Sequence, residues 1–301
     1  MVNEQYSELL NMHYMNLSVL IFTKNEEKNI VDCIRSVDWA DDIYVLDSIS
    51  TDRTTMLAQE VGAKVIQRVF DDYSSNKDWA FKNIPFKHKF LLILDADMRV
   101  TDRLREEIAQ VLDVSSDIAG FYIPIKNYFN GKWLKHGGWY PNYHLKLFRK
   151  DKVRIENRLV HEHVIINGPI GYLKNDILHL DYRGIEHFIN RHNIYSSMEA
   201  VEISRMIDNR VDDISVKPNL FSRGPAKRRF VKNLAYKYLP ARPLFKFIWM
   251  YILKLGFLDG VIGFHYSLLH AFYDYQISLK LKELQDKNSP LYEKYKEYLE
   301  Q

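Results

Sequence analysis

Apolar runs and helical spacing alternate through the first third of the chain. LSVLIF (17–22) is the pattern of a buried strand, and DIYVLD (42–47), KVIQRV (64–69) and KFLLILD (89–95) read as the second, third and fourth strands. Between these runs the period changes. Ile30, Ile34 and Val37 mark one face of a helix over 26–37, and a helix over 52–61 stops at Gly62. A third helix, around 74–83, stops before Pro85, and a fourth covers 101–112. Strands alternating with helices predict an α/β fold with a mostly parallel sheet covered on both faces, and such sheets bind ligands beyond the carboxyl ends of their strands. After Gly120 the rhythm changes. GFYIPI, HLKLFR, LVHEHVII and DILHLDY read as shorter strands, so the sheet is expected to become mixed. A helix over 185–209 follows, then a basic segment and an aromatic-rich stretch over 244–279.

Composition alters this picture in two places. The 301 residues contain one cysteine, Cys33, which excludes an intramolecular disulfide and fits a reducing, cytosolic setting. Its place in a helix predicts burial. The net charge of +3 conceals an asymmetry. Ten Lys and Arg residues and no Asp or Glu lie in 217–258, which leaves −7 on the rest of the chain. A mildly acidic body with a basic, aromatic tail points to a separate anionic partner for the tail. The polar start, with Asn3, Glu4, Gln5 and Glu8, does not read as a secretory signal. Residues 1–16 read as a lead-in, with Met15 as an alternative start.

The sharpest chemical feature is LLILDADM. Alternate residues of a strand point the same way, so Asp95 and Asp97 are expected together at the ligand edge. Hard cations such as Mg²⁺ and Mn²⁺ take carboxylate, phosphate and water oxygens, and two unremarkable acids at a solvated strand end is the other reading. Asp47 ends DIYVLD on the same edge, ahead of a Ser50–Thr51–Asp52 cluster suited to capping the next helix. In RLVHEHVI, Glu162 faces opposite to His161 and His163. A carboxylate on an apolar strand needs a partner or a task, which makes Glu162 the better catalytic candidate, while the two histidines read as structural ahead of the other reading, metal ligands. His179, in ILHLDY, reads equally as a core histidine or a functional one.

Three strings in this order, NLSVLIFTKNEEKNIVDCIRSVDWADDIYVLDSISTDRT, LILDADMRVT and KHGGWYPNYHLKLFRKDKVRIENRLVHEHV, resemble glycosyltransferase family 2, nearest the lipopolysaccharide core β-1,4-glucosyltransferase type. The resemblance implies a GT-A (Rossmann-like) mixed sheet flanked by helices, with a catalytic domain over 17–210 and a helical basic and aromatic extension over 211–301. It implies a UDP-sugar donor and a divalent metal, Mn²⁺ or Mg²⁺. Thr23, Glu26 and Asp47 would line the nucleotide site, with Lys77 near base or diphosphate. Asp95 would contact ribose or support the metal, and Asp97 and His179 would bind it. Gly137, Gly138 and Trp139 would form the loop by donor sugar and acceptor. Glu162 would be the catalytic base of an inverting transfer. The chain departs from the pattern at Ile49, where Gly is common, and at Asp78, where Asn is common.

The tail reads as amphipathic basic helices. Lys246, Lys254, Asp259, His265 and His270 interrupt every candidate span, so an interfacial helix is expected, with Arg228, Arg229, Lys232 and Trp249 at an anionic membrane surface. Packing on the catalytic domain or on a second subunit is the competing reading, and no nucleic-acid module is present. The combined expectation is a peripheral enzyme of the inner face of the cytoplasmic membrane, with a glycolipid or lipid-linked glycan as acceptor. Two alternatives remain. A haloacid-dehalogenase-type phosphotransferase also carries Asp-x-Asp after an apolar strand, but normally on its first. The other is a non-catalytic membrane-binding protein of the same fold. No G-x-G-x-x-G follows the first strand, which disfavours a nicotinamide enzyme.

Overall fold

The computed structural model describes residues 14–114, 117–155, 164–207 and 241–300. The first half follows the expected rhythm: β1 (Met15–Thr23), α1 (Ile30–Arg35), β2 (Ala40–Asp47), α2 (Thr54–Glu60), β3 (Lys64–Gln67), α3 (Tyr73–Asn83) and β4 (Phe90–Asp95). Then come β5 (Met98–Val100), α4 (Asp102–Val114), β6 (Gly120–Phe129), β7 (Lys132–Trp133) and β8 (Asn142–Arg149). Short strands β9 (Val153–Ile155), β10 (Val164–Ile166), β11 (Ile170–Tyr172) and β12 (Ile177–Leu180) complete the β structure among the described residues. The helices α5 (Gly184–Ile207), α6 (Arg242–Ile248), α7 (Gly260–Glu283) and α8 (Pro290–Glu300) close the chain.

The main sheet runs β3-β2-β1-β4-β8-β6-β12-β5. β3, β2, β1 and β4 are parallel, β8 is antiparallel to both β4 and β6, β12 runs parallel to β6, and β5 runs antiparallel to β12. The sheet is therefore mixed, as the change of rhythm after Gly120 predicts.

The apolar run of β1 is continuous because both of its faces are covered. Leu17, Val19 and Ile21 pack with Ile30, Cys33 and Ile34 of α1 and Leu104 and Ile108 of α4, while Leu20 packs on the other face with Ala80 of α3. Cys33 is buried as expected, and burial pushes its thiol up to about 12, so it stays protonated. In α4, Leu104 and Ile108 share one side at the i, i+4 spacing, and the Thr101 hydroxyl accepts the Leu104 N–H at the helix start. Helix α3 begins at Asp72, whose carboxylate accepts the Ser75 N–H at 2.8 Å.

The C-terminal helices build on the far end of the sheet. Phe129 of β6, Leu134, Phe188 of α5 and Tyr266 of α7 share one buried cluster with Met250. A second cluster joins α5, α7 and α8 through Ala200, Val201, Ile277, Tyr292 and Leu299. The C-terminal helices thus pack against the sheet, and they also leave a wide apolar face outside.

Candidate active site

The carboxyl ends of β1, β2 and β4 form one edge. Thr23 lies opposite Asp47, and Phe22 lies opposite Asp95. The expectation that Asp95 and Asp97 project together as alternate residues of one strand is corrected here. β4 ends at Asp95, Ala96 and Asp97 form a turn, and β5 begins at Met98. Long-range pairing brings Asp97 into place instead. Met98 lies opposite His179 on β12, and the Leu180 N–H donates to the Asp97 carbonyl at 2.8 Å.

Each carboxylate has its own electrostatic setting. Asp95 keeps half of its side chain open and accepts from Lys146 Nζ at 3.1 Å. Burial pushes its carboxyl up, but Lys146 and Lys77 overcome this and hold it at about 2. Asp97 is buried. Its Oδ2 lies 3.3 Å from His179 Nε2 and 3.2 Å from Arg183 Nη2, and its Oδ1 is buried with no hydrogen-bond partner. Burial pushes Asp97 up too, and the His179 ring and Arg183 outweigh it, leaving the carboxyl below its ordinary range. His179 is pushed down by burial and pulled further up by the Asp97 carboxylate, while its Nδ1 meets Asn127 Oδ1 at 3.0 Å.

Arg183 ties the acids together. Nη1 lies 2.7 Å from Glu26 Oε1, Nη2 reaches Asp97, and Nε lies 3.0 Å from Asp181 Oδ1, with Arg191 on the other Asp181 oxygen at 2.8 Å. Burial still raises the Glu26 carboxyl, against Arg183 and the Asn29 amide. The sequence reading missed Arg183, along with Asn127, Lys146, Asp181 and Arg191. A signal was present: Arg183 stands four residues after His179 and directly before Gly184, whose φ of +80° opens α5.

A cavity of about 2070 Å³ joins these groups. Thr23, Glu26, Lys77, Asp95, Asp97 and His179 all line it. Thr23 is buried with an unpartnered hydroxyl, and Lys77 lies with Nζ 6.0 Å from the Phe22 ring centroid. Ser48 lines the cavity, and Asp47 is buried directly beside it. The wholly buried Asp47 carboxylate takes the Ser50 N–H at 2.8 Å, the Ser50 hydroxyl, and Gln67 Nε2 at 3.0 Å. It fastens a turn in which Ile49 sits at φ +56°, a conformation that glycine adopts more readily. The Ser50–Asp52 cluster is divided as well: Asp52 Oδ1 accepts the Thr54 N–H at the start of α2, while Ser50 and Thr51 bond to Asn25.

Of the glycine-rich loop, Trp139 alone reaches the cavity wall, where it meets Tyr266 edge-on at 5.1 Å. Gly137 and Gly138 take positive φ, and the Gly137 N–H donates to the Lys254 carbonyl at 2.8 Å. Gly137 therefore ties this loop to the C-terminal segment. Trp249 is half-exposed and lines the outer end of the cavity. Glu162, His161 and His163, and Arg228, Arg229 and Lys232, lie outside the described residues.

Among the described residues no group of three His, Cys, Asp or Glu side chains is gathered to hold a metal. Asp97 and His179 still suit a hard cation that brings its own oxygen ligands. They supply one carboxylate with an unspent buried oxygen and one imidazole oriented by Asn127.

The glycosyl transferase family 2 profile matches residues 18–173, just over half of the chain. The chain belongs to glycosyl transferase family 2. Its fold is the mixed GT-A arrangement that the resemblance implies, and membership removes the haloacid-dehalogenase alternative. An uncharacterised glycosyltransferase of Rickettsia typhi is 26% identical over 89% of this chain and 87% of its own length. The lipopolysaccharide core biosynthesis glycosyltransferase LpsC of Rhizobium meliloti is 27% identical over 61% of this chain and 70% of its own. Among solved structures, glucosyl-3-phosphoglycerate synthase of Mycobacterium tuberculosis, in complex with Mg²⁺ and uridine diphosphate, is 21% identical. Its TM-score is 0.30 over 44% of this chain and 48% of that chain, so this glycosyltransferase spans about half of that structure's length.

Proposed function

We propose that this family 2 glycosyltransferase moves a hexose, glucose before others, from a UDP-sugar to a hydroxyl of a lipid-linked glycan of the lipopolysaccharide core kind. It does so with inversion, at the inner face of the cytoplasmic membrane. The observation that carries the reading is the buried, unpartnered Asp97 Oδ1 beside His179 in a cavity that also presents Lys77 and Arg183. A nucleoside diphosphate leaves poorly unless its developing charge is offset. A bound Mn²⁺ or Mg²⁺, held by Asp97 and His179, would supply that offset. Lys77 and Arg183 add positive charge in the same cavity, and Arg183 is already oriented by Glu26 and Asp181 before any ligand arrives. Trp139 and Tyr266 offer aromatic faces against which a sugar ring can lie. The acceptor hydroxyl gives its proton to Glu162 as it attacks the anomeric carbon, and the bond to the diphosphate oxygen breaks on the opposite face. General-base help of this kind contributes on the order of 10²–10⁴ in rate. The name of the LpsC relative and the basic, aromatic extension support the choice of acceptor.

The test is transfer from a panel of UDP-sugars to extracted membrane glycolipid. Wild type is expected to form product with one of them, and Glu162→Gln to lose about 10²-fold or more in turnover while still binding UDP. Full activity in Glu162→Gln removes that residue from its role, and no transfer from any UDP-sugar contradicts the donor.

A further inference from the structure

The C-terminal extension contains a rigid break with its apolar residues on the outside. Arg242–Leu253 and Gly256–Glu283 meet at 70°, and together they reach the length and hydropathy of a membrane-resident segment, although no single described helix does. Ile252, Leu253, Phe257, Leu258 and Val261 are all exposed around the break, and all but Phe257 are more than half open. Single exposed apolar residues are ordinary, but a contiguous cluster of this size marks an interaction surface.

The break is held from beneath. A methyl group added at Gly263 would lie 1.9 Å from the Gly256 carbonyl oxygen, so only glycine lets α7 approach the turn this closely. Met250 is buried there, and the Lys254, Leu255 and Leu258 N–H groups donate to carbonyls within the turn. Asp259, the one acid near the apex, is turned inward. Its carboxylate accepts the His136 N–H at 2.8 Å and meets His136 Nδ1 at 2.7 Å.

We propose that this bent pair is a re-entrant membrane wedge, inserted by its apex at residues 253–261 into one leaflet of an anionic bilayer. A lipid bilayer fits this face better than a protein partner on three counts. The Lys254, Leu255 and Leu258 N–H groups at the apex donate within the turn, which lowers the cost of entry into hydrocarbon. The apex side chains are apolar, with the carboxylate withdrawn. The only charges of 242–258 are Arg242, Lys246 and Lys254, all positive, and Lys254 Nζ lies 5.1 Å from the Trp249 ring centroid, a basic and aromatic pair suited to the headgroup level. The wedge also meets the active site. Phe245, Trp249 and Leu253 line the same cavity as Asp97, and Lys254 and Asp259 grip residues 136–137 just before Trp139. Insertion would therefore set the outer mouth of the cavity against the membrane, where a lipid-linked acceptor presents its glycan. This route rests on the acceptor proposed above, whereas the insertion itself does not.

The insertion is tested on the full chain without donor or acceptor. Leu258→Cys carries an environment-sensitive nitrobenzoxadiazole label, the other thiol, Cys33, being buried. Vesicles of phosphatidylcholine with phosphatidylglycerol are expected to bind the protein and shift the label to the blue. Lipids brominated deep in the acyl chain are expected to quench it. Phe257→Glu with Leu258→Glu is expected to lower vesicle partition at least ten-fold and leave calorimetric UDP binding unchanged. Three outcomes overturn the wedge: a label that stays in water on bound protein, a double variant that partitions like wild type, or a wild-type dimer that the double variant splits with vesicle binding unaltered. Loss of UDP binding in wild type would strike the proposed donor and leave the wedge standing.

Discussion

The parallel half of the sheet and the C-terminal bent pair are similarly rich in apolar residues, and they use them in opposite ways. In β1, Leu17, Val19, Leu20 and Ile21 are wholly buried, because helices cover both faces of the strand. Around the break between α6 and α7, Leu253, Leu258 and Val261 point out, while Gly256, Met250 and Gly263 do the packing. Hydropathy alone says that such residues leave water. Which surroundings replace the water is decided by the neighbouring elements, and in the bent pair no described element lies over the outer face. Charge is divided in the same way. The sheet half sets its acids and bases against one another at the cavity, through Arg183, His179 and Lys146. Around the apex of the bent pair, by contrast, the exposed charge is Lys254 and the one acid, Asp259, is turned inward, Arg242 being paired with Asp274 further along.

Substitutions in the two regions should separate these uses. The largest effect is expected from Leu92→Ala, in the core of β4, which should destabilise by about 2–5 kcal/mol and lower Tm by roughly 5–10 °C in a thermal melt. A loss under about 0.5 kcal/mol would mean that the core tolerates the cavity. Next is Arg183→Ala. Removing the guanidinium takes away the one cation that Glu26 and Asp97 share, leaving Asp97 to His179 and Glu26 to the Asn29 amide, and should reduce kcat/KM by about 10–10²-fold, with Arg183→Lys recovering part of it. Equal loss in both variants would show that charge alone is not what Arg183 provides. The smallest is Leu258→Ala, more than half exposed, which should change stability in water by less than about 0.5 kcal/mol. A drop like that of Leu92→Ala would show that the outer face is packed in solution.

Much of this architecture was legible in the chain. The first four strands, the helices that follow them and the switch to a mixed sheet follow from periodicity, and Asp95, Asp97, His179, Thr23, Glu26 and Lys77 do meet in one cavity. The gaps share a cause. Alternation within one strand cannot show that Asp97 leaves β4 and is positioned by β5 against β12, a pairing between segments 80 residues apart. Nor can it show that Ser50 and Gln67 occupy the Asp47 carboxylate. Arg183 was overlooked because arginines near helix starts are common, and its three acids come from the segment after β1, from the turn after β4 and from the segment after β12. The basic tail was read as a flat interfacial helix. Its sharp break depends on Leu255 at φ +58° and on the Gly256–Gly263 approach, which local composition does not encode.

The central claim is that Asp97 and His179 form the metal-assisted diphosphate end of a donor site. Calorimetric titration of UDP, with and without Mn²⁺, into wild type and Asp97→Ala tests it most directly. The account predicts Mn²⁺-dependent binding in wild type that weakens by about 10²-fold or more in Asp97→Ala, with the circular dichroism of the variant unchanged. Equal binding in the two proteins, or wild-type binding indifferent to Mn²⁺, would contradict it.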